Sequence, residues 1–190
     1  MFEPLTRGRY TMDVERDTAL VFEMADGRRL SQRYEPFVRQ RRVAEGFDTV
    51  FQDRSDLSWR PDILLEVFSP EASRSDYRLR FAAVVDAKYT LRAGVQRALE
   101  GILKYQDIRS VDDGSQIVRS IWVGVPEEPD VRQDGDKPPK GAVPLHPDDI
   151  VRGALGADPR QPQETEDVLR GFISDLLDHA DLFRTAGRRA

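Results

Sequence analysis

The chain has 190 residues, a net charge of −5, no cysteine and two histidines, with 33% charged and 39% apolar residues. Without cysteine there are no disulfides, no thiolate zinc sites and no cysteine nucleophile, and His146 and His179 stand too far apart in sequence to suggest a histidine-centred motif. The acidic balance argues against a protein that coats nucleic acid by bulk electrostatics, and no run has the length and apolarity of a membrane span.

The N-terminal MFEPLTRGRY lacks the apolar core of a signal peptide, so a cytoplasmic protein is expected. Three strands follow from pattern: Tyr10 to Glu15, Thr18 to Met24 and Arg29 to Tyr34. Asp26 and Gly27 supply tight-turn chemistry between the last two. Residues 1–40 thus read as an N-terminal β-meander, either an extension or part of the same domain, and 41–190 as the main domain of an α/β protein. The stretch from Arg39 to Trp59 is polar and irregular, carries Arg39, Arg41 and Arg42, and reads mostly as loop.

RPDILLEVFSP holds an apolar run, Ile63 to Phe68, stopped by Ser69 and Pro70: a core strand. Leu79 to Tyr89 is a second strand, too continuously apolar from Phe81 to Val85 for a sheet wetted on one face. The two are expected to pair at the centre of a mixed sheet. From Arg92 to Arg109 the period becomes helical, with Val95, Leu99, Ile102 and Leu103 on one stripe. Ile117 to Val125 returns to a strand. Pro126 to Gly141 is rich in proline, glycine and acids and reads as a surface loop. Glu166 to Phe183 is a second amphipathic helix, with Thr165 as N-cap and Val168, Leu169, Phe172, Ile173, Leu176 and Leu177 towards the core.

One stretch conflicts with its surroundings. VVDAKYT reads as a buried strand until Asp86 and Lys88, and charges are seldom enclosed without a partner, a metal or a task. Alternate residues of a strand share a face, so Asp86 and Lys88 point together. Asp62 opens the neighbouring strand directly after Pro61. Where the two strand ends meet, two carboxylates and an ammonium converge. Oxygen ligands of this kind suit Mg²⁺ or Mn²⁺, with the Ala87 carbonyl as a neutral ligand from the same strand. Glu66 shares the strand face of Asp62 but lies about 13 Å along it, too far to bind the same ion.

Pro61 and Asp62, followed by a strand ending Asp86, Ala87, Lys88, resemble the PD-(D/E)XK nuclease superfamily with its restriction-endonuclease-like fold. The succession RPDILLEV, VVDAKYT, a helix containing LKYQDI, an apolar strand and GAVPLHP resembles more narrowly the nuclease domain of McrC-like bacterial restriction and defence proteins. The likeness runs from about Tyr34 to the C-terminal helix. It implies a mixed central sheet flanked by helices and a divalent-metal-dependent endonuclease hydrolysing DNA phosphodiesters. Asp62 and Asp86 would hold the ion, and Lys88 would steady the attacking water and the charge that develops on the phosphate. Tyr105, in the helix after the lysine strand, is the matching further residue of the site. The superfamily often brings an acid from a helix ahead of the first catalytic strand; no helix is expected there, and Glu35 is the nearest candidate. DNA and a nucleotide-hydrolysing motor subunit are the implied partners, and an oligomer is compatible. The reading from another class is a nuclease-fold scaffold or nucleic-acid-binding subunit of a defence complex that does not cut.

Overall fold

The computed structural model describes residues 2–5, 9–12, 16–43, 48–53, 59–70, 77–88, 94–125, 150–156 and 162–179. Among these described residues, ten strands and two α-helices form a mixed α/β arrangement: β1 (Phe2–Leu5), β2 (Arg9–Met12), β3 (Ala19–Glu23), β4 (Arg29–Tyr34), β5 (Val50–Phe51), β6 (Ile63–Pro70), β7 (Tyr77–Ala87), α1 (Val95–Ile102), β8 (Arg109–Ser110), β9 (Val118–Val125), β10 (Val151–Gly156) and α2 (Pro162–His179). Short 3₁₀ turns cover Arg41–Val43 and Leu103–Asp107.

The six-stranded sheet runs β10-β9-β7-β6-β4-β3. β3, β4, β6 and β7 are successively antiparallel, while β7, β9 and β10 are parallel, with α1 connecting β7 to β9. The expected central pair is β6 and β7. Their continuous apolar runs follow from burial on both faces. On one face Leu64, Ala82, Val84 and Ile121 pack with Ile102, Tyr105 and Trp59; on the other Leu65, Val67, Phe81, Ala83 and Trp122 pack with Phe172 and Leu176 of α2. Between Phe68 and Val67 the pairing skips Arg80, a bulge that returns Leu79 to the α1 face.

The expected meander is instead two hairpins. Among the described residues β2 pairs with β1 in a separate two-stranded sheet, whereas β3 and β4 turn through Asp26 and Gly27 (φ 84°) and are hydrogen-bonded into the same sheet as β6. The reason lies in β4: Leu30, Ser31 and Arg33 are buried, so this strand needs a covered neighbour on its free side, and β6 supplies it. Asp13 to Glu15, the end of the first expected strand, lie outside the described residues.

The stretch expected as loop is packed. Val38 bridges to Trp59, Gln40 to Gln52, and β5 pairs with β8, burying Val38, Val50, Phe51 and Trp59. Its apolar residues are scattered without period and so give no strand or helix signal. α2 begins at Pro162, a residue whose fixed φ and missing N–H suit the first helical turn, so Thr165 falls inside the helix and is not its cap. Only the second half of its apolar stripe is covered; Val168 and Leu169 are each 43% exposed, contrary to expectation. β10 has no counterpart among the expected strands. Its Gly153 is required by the neighbour: a Cβ there would overlap the Trp122 ring, which lies over β10 and packs edge-on against Phe172 at 5.4 Å. The expected Pro126–Gly141 loop and His146 lie outside the described residues.

Candidate carboxylate and lysine site

The register that pairs Ile63 with Val85 and Leu64 with Val84 sets Asp62 opposite Asp86 one step further on. Both therefore project on the α1 face, where Leu64 and Val84 lie. Two cross-bonds lock the arrangement. The backbone N–H of Asp62 donates to Asp86 Oδ1 at 3.2 Å, and that of Ala87 donates to Asp62 Oδ2 at 2.6 Å. Pro61, buried and without an N–H, opens the strand without leaving a donor unpaired.

Asp86 is 3% exposed, while Lys88 on the same face reaches it with its ammonium, Nζ to Oδ2 2.5 Å, and keeps 44% of its side chain in solvent. The Lys88 N–H continues the pairing with β9 by donating to the Gly124 carbonyl at 2.8 Å. The cluster thus carries two carboxylates against one ammonium. Like charges directly opposite one another across a strand pair are destabilising. Burial, and then the charge of Asp86, push the Asp62 carboxyl above its ordinary value, against the opposing pull of the Ala87 N–H and of Lys88.

Tyr105 underlies both acids. It is 3% exposed, meets Trp59 edge-on at 6.2 Å, and donates its hydroxyl to the Arg60 carbonyl at 2.9 Å. Burial first, then Asp86 and Asp62, push the phenol well above its ordinary range, so it stays a protonated donor at any working pH. Its hydroxyl is thus engaged in holding the start of β6. Tyr105 supports the acids from the 3₁₀ turn that follows α1, where one long helix had been expected.

Glu35 does not join the pair through its carboxylate. Its backbone N–H donates to the Asp62 carbonyl at 2.8 Å, but its side chain turns to Arg16 at 2.7 Å. Among the described residues no group of three or more His, Asp or Glu side chains is gathered to hold an ion. Two carboxylates nevertheless fit Mg²⁺, which retains several waters and commonly takes only one or two protein carboxylates together with substrate phosphate. Asp62 and Asp86 would hold it, and the Ala87 carbonyl belongs to the same strand end. Glu66 lies apart, as its position along β6 requires.

Sequence reasoning missed Arg60 and Lys104. Arg60 is exposed, immediately ahead of Pro61, and its guanidinium lies 3.9 Å over the Phe37 ring; Lys104, also exposed, sits 5.0 Å from the Tyr105 ring. Arg60 joins the site through its carbonyl, which the Tyr105 hydroxyl holds, and Lys104 through its neighbour Tyr105. The signal was available for Arg60 in its adjacency to Pro61 and Asp62, but a single arginine beside a strand is an ordinary surface feature. Of the basic cluster, Arg39 is committed to Asp48 at 2.9 and 3.1 Å and Arg41 lies 5.2 Å from the Phe51 ring, both structural contacts. No family model, no curated protein and no solved structure matches the chain.

Proposed function

We propose that the chain is a divalent-metal-dependent endonuclease that hydrolyses DNA phosphodiester bonds with Asp62, Asp86 and Lys88, in a restriction-endonuclease-like fold of the PD-(D/E)XK kind. The observation that carries the reading is the meeting of the two aspartates across β6 and β7 with the exposed Lys88 beside them. An excess of carboxylate beside a lysine that reaches solvent suits a site that takes up a cation and a phosphate together. The order of strand, strand, helix and strand on which the resemblance rests runs through the sheet as β6, β7, α1 and β9, with β7 at its centre.

Bound Mg²⁺ or Mn²⁺ supplies charge neutralisation at the phosphate and acidifies water. The chain's own residues do the rest. Asp62 and Asp86 present their oxygens from strand ends held by backbone hydrogen bonds, so little reorganisation is needed when the substrate arrives. Lys88, hinged at Asp86 and open to solvent, stabilises the negative charge that grows on the phosphate and orients the attacking water. Tyr105 keeps Arg60, and so the start of β6, in position.

Because the net charge is −5, strong DNA affinity is assigned to a partner, and the resemblance to McrC-like proteins makes a nucleotide-hydrolysing motor subunit the partner proposed. No helix among the described residues is long and apolar enough to cross a membrane, and a cytoplasmic setting is part of the proposal. The test is cleavage of supercoiled plasmid, with structured RNA in parallel, in Mg²⁺ or Mn²⁺. Cleavage by the wild-type chain that disappears in Asp86→Ala and Lys88→Ala, at unchanged circular dichroism, supports the reading; cleavage that survives both removes these residues from the chemistry. The gathering of only two carboxylates among the described residues favours a second reading, a non-cutting scaffold of the same fold, and absence of divalent-ion binding by the wild-type chain is its mark.

A further inference from the structure

A cleft of ≈ 410 Å³ opens on the α1 face of the sheet, where β3, β4 and β6 are not covered by α1. Its floor is Glu66, on the same strand face as Asp62 and about 13 Å along β6. Glu66 is 1% exposed and accepts a hydrogen bond from the Thr49 hydroxyl, and Ser31 stands opposite it in the β4–β6 register. Arg33 reaches Asp17 at 2.6 Å and the Thr49 hydroxyl at 3.5 Å. At the side, the Arg29 guanidinium is stacked 3.6 Å above the Tyr77 ring and tied to Glu23 at 2.6 and 3.0 Å.

The charge arithmetic narrows the ligand. Arg33 is matched by Asp17 and Arg29 by Glu23, so among the described residues the cleft has no spare cation for a phosphate or carboxylate. It offers instead a flat guanidinium-on-aromatic platform, the apolar Phe68 and Val21, and a floor of close-set donors and acceptors. A volume of this order accommodates one small planar molecule. Guanidinium planes and aromatic rings are the surfaces on which unpaired bases stack, with base edges read by short polar side chains.

We propose that this cleft binds one unpaired nucleobase, stacked beside Arg29 and Tyr77, with its polar edge turned to Glu66 and the Ser31 and Thr49 hydroxyls. The proposal deepens the nuclease reading and rests on it, since it makes the cleft a recognition pocket a few nucleotides from the carboxylates on the same face. It predicts a preference for substrates that present an unstacked base.

The test is calorimetric titration of the full chain, without divalent ions, with each of the four 2′-deoxynucleosides and with deoxyribose as the base-free control. At least one nucleoside binds about ten-fold or more tightly than deoxyribose. Ala19→Trp, which fills the cleft from an exposed position of β3, and Tyr77→Ala, which removes the platform, each abolish that difference. Asp86→Ala leaves it intact. Four nucleosides indistinguishable from deoxyribose, or binding that persists in both cleft variants, overturn the proposal. Because neither metal nor cleavage enters the titration, its outcome is independent of whether the chain cuts DNA.

Discussion

Asp62 and Glu66 stand on one face of one chain segment and are held in opposite ways. Glu66 is enclosed among donors: the hydroxyls of Thr49 and Ser31 and, nearby, the Arg33 guanidinium. Asp62 faces another acid, with a single lysine to offset the two. Each cluster sets two acids against one cation, Arg33 among Glu66 and Asp17 and Lys88 among Asp62 and Asp86. Glu66 is 1% exposed, whereas Lys88 opens the second cluster to solvent, where an external cation can enter and complete it. A buried acid therefore says little by itself, and its hydrogen-bond partners and the access of solvent to its neighbours say much.

The largest effect expected from breaking this contrast is catalytic. Asp86→Ala should lower metal-dependent DNA cleavage by about a thousand-fold or more, measured as the rate of plasmid nicking, with the fold checked by circular dichroism. Lys88→Ala should lower it by about a hundred-fold. The same change should leave divalent-ion affinity equal or higher, because the ammonium no longer competes at Asp86 Oδ2. Titration calorimetry on that variant separates an electrostatic role in the reaction from a role in holding the ion.

The Glu66 cluster should respond in stability and not in metal binding. Glu66→Ala leaves the Thr49 hydroxyl without its acceptor and should cost about 2 kcal/mol in urea unfolding, with ion binding unchanged. Gly153→Ala, away from both regions, should cost about 2 kcal/mol, because the Trp122 ring must leave its place against Phe172.

The smallest effects concern pH. Burial raises the Glu66 carboxyl above its ordinary 4.5, so the folded state holds a proton that the unfolded chain has released. The associated stability is complete below the ordinary value and is lost as pH rises through the raised folded value. Unfolding free energy should fall with rising pH in that window, and Glu66→Gln should flatten the fall. Asp62 behaves with the same sign. Asp62→Asn should stabilise the metal-free protein by on the order of 0.5 kcal/mol while removing ion binding, the opposite of what a purely structural carboxylate would show.

How far the sequence disclosed these regions depended on periodicity. β6, β7 and β9 were legible because strands buried on both faces leave unbroken apolar runs. The shared face of Asp86 and Lys88 was legible from the period of two, while the meeting of Asp62 and Asp86 depended on the strand ends lying together, which the antiparallel register provides. β10 was not legible: VRGALG has two glycines and few large side chains, and its pairing depends on the Trp122 ring passing over Gly153, a contact far away in sequence. Nor was the packing of Val38, Val50, Phe51 and Trp59, whose two-residue strands and single bridges carry no repeating pattern. Glu66 was recognised only as too distant from Asp62; its partners Thr49, Ser31 and Arg33 come from separate stretches that only the folded sheet assembles. Glu35 illustrates the converse: near Asp62 through its backbone, it is drawn off by Arg16.

The most direct measurement is titration of Mn²⁺ into the wild-type chain, Asp62→Asn and Asp86→Asn. One ion bound by the wild-type chain and by neither variant, all three equally folded, is the predicted result. Binding that is absent from the wild-type chain, or unchanged in both variants, would contradict the assignment of these two aspartates to a metal.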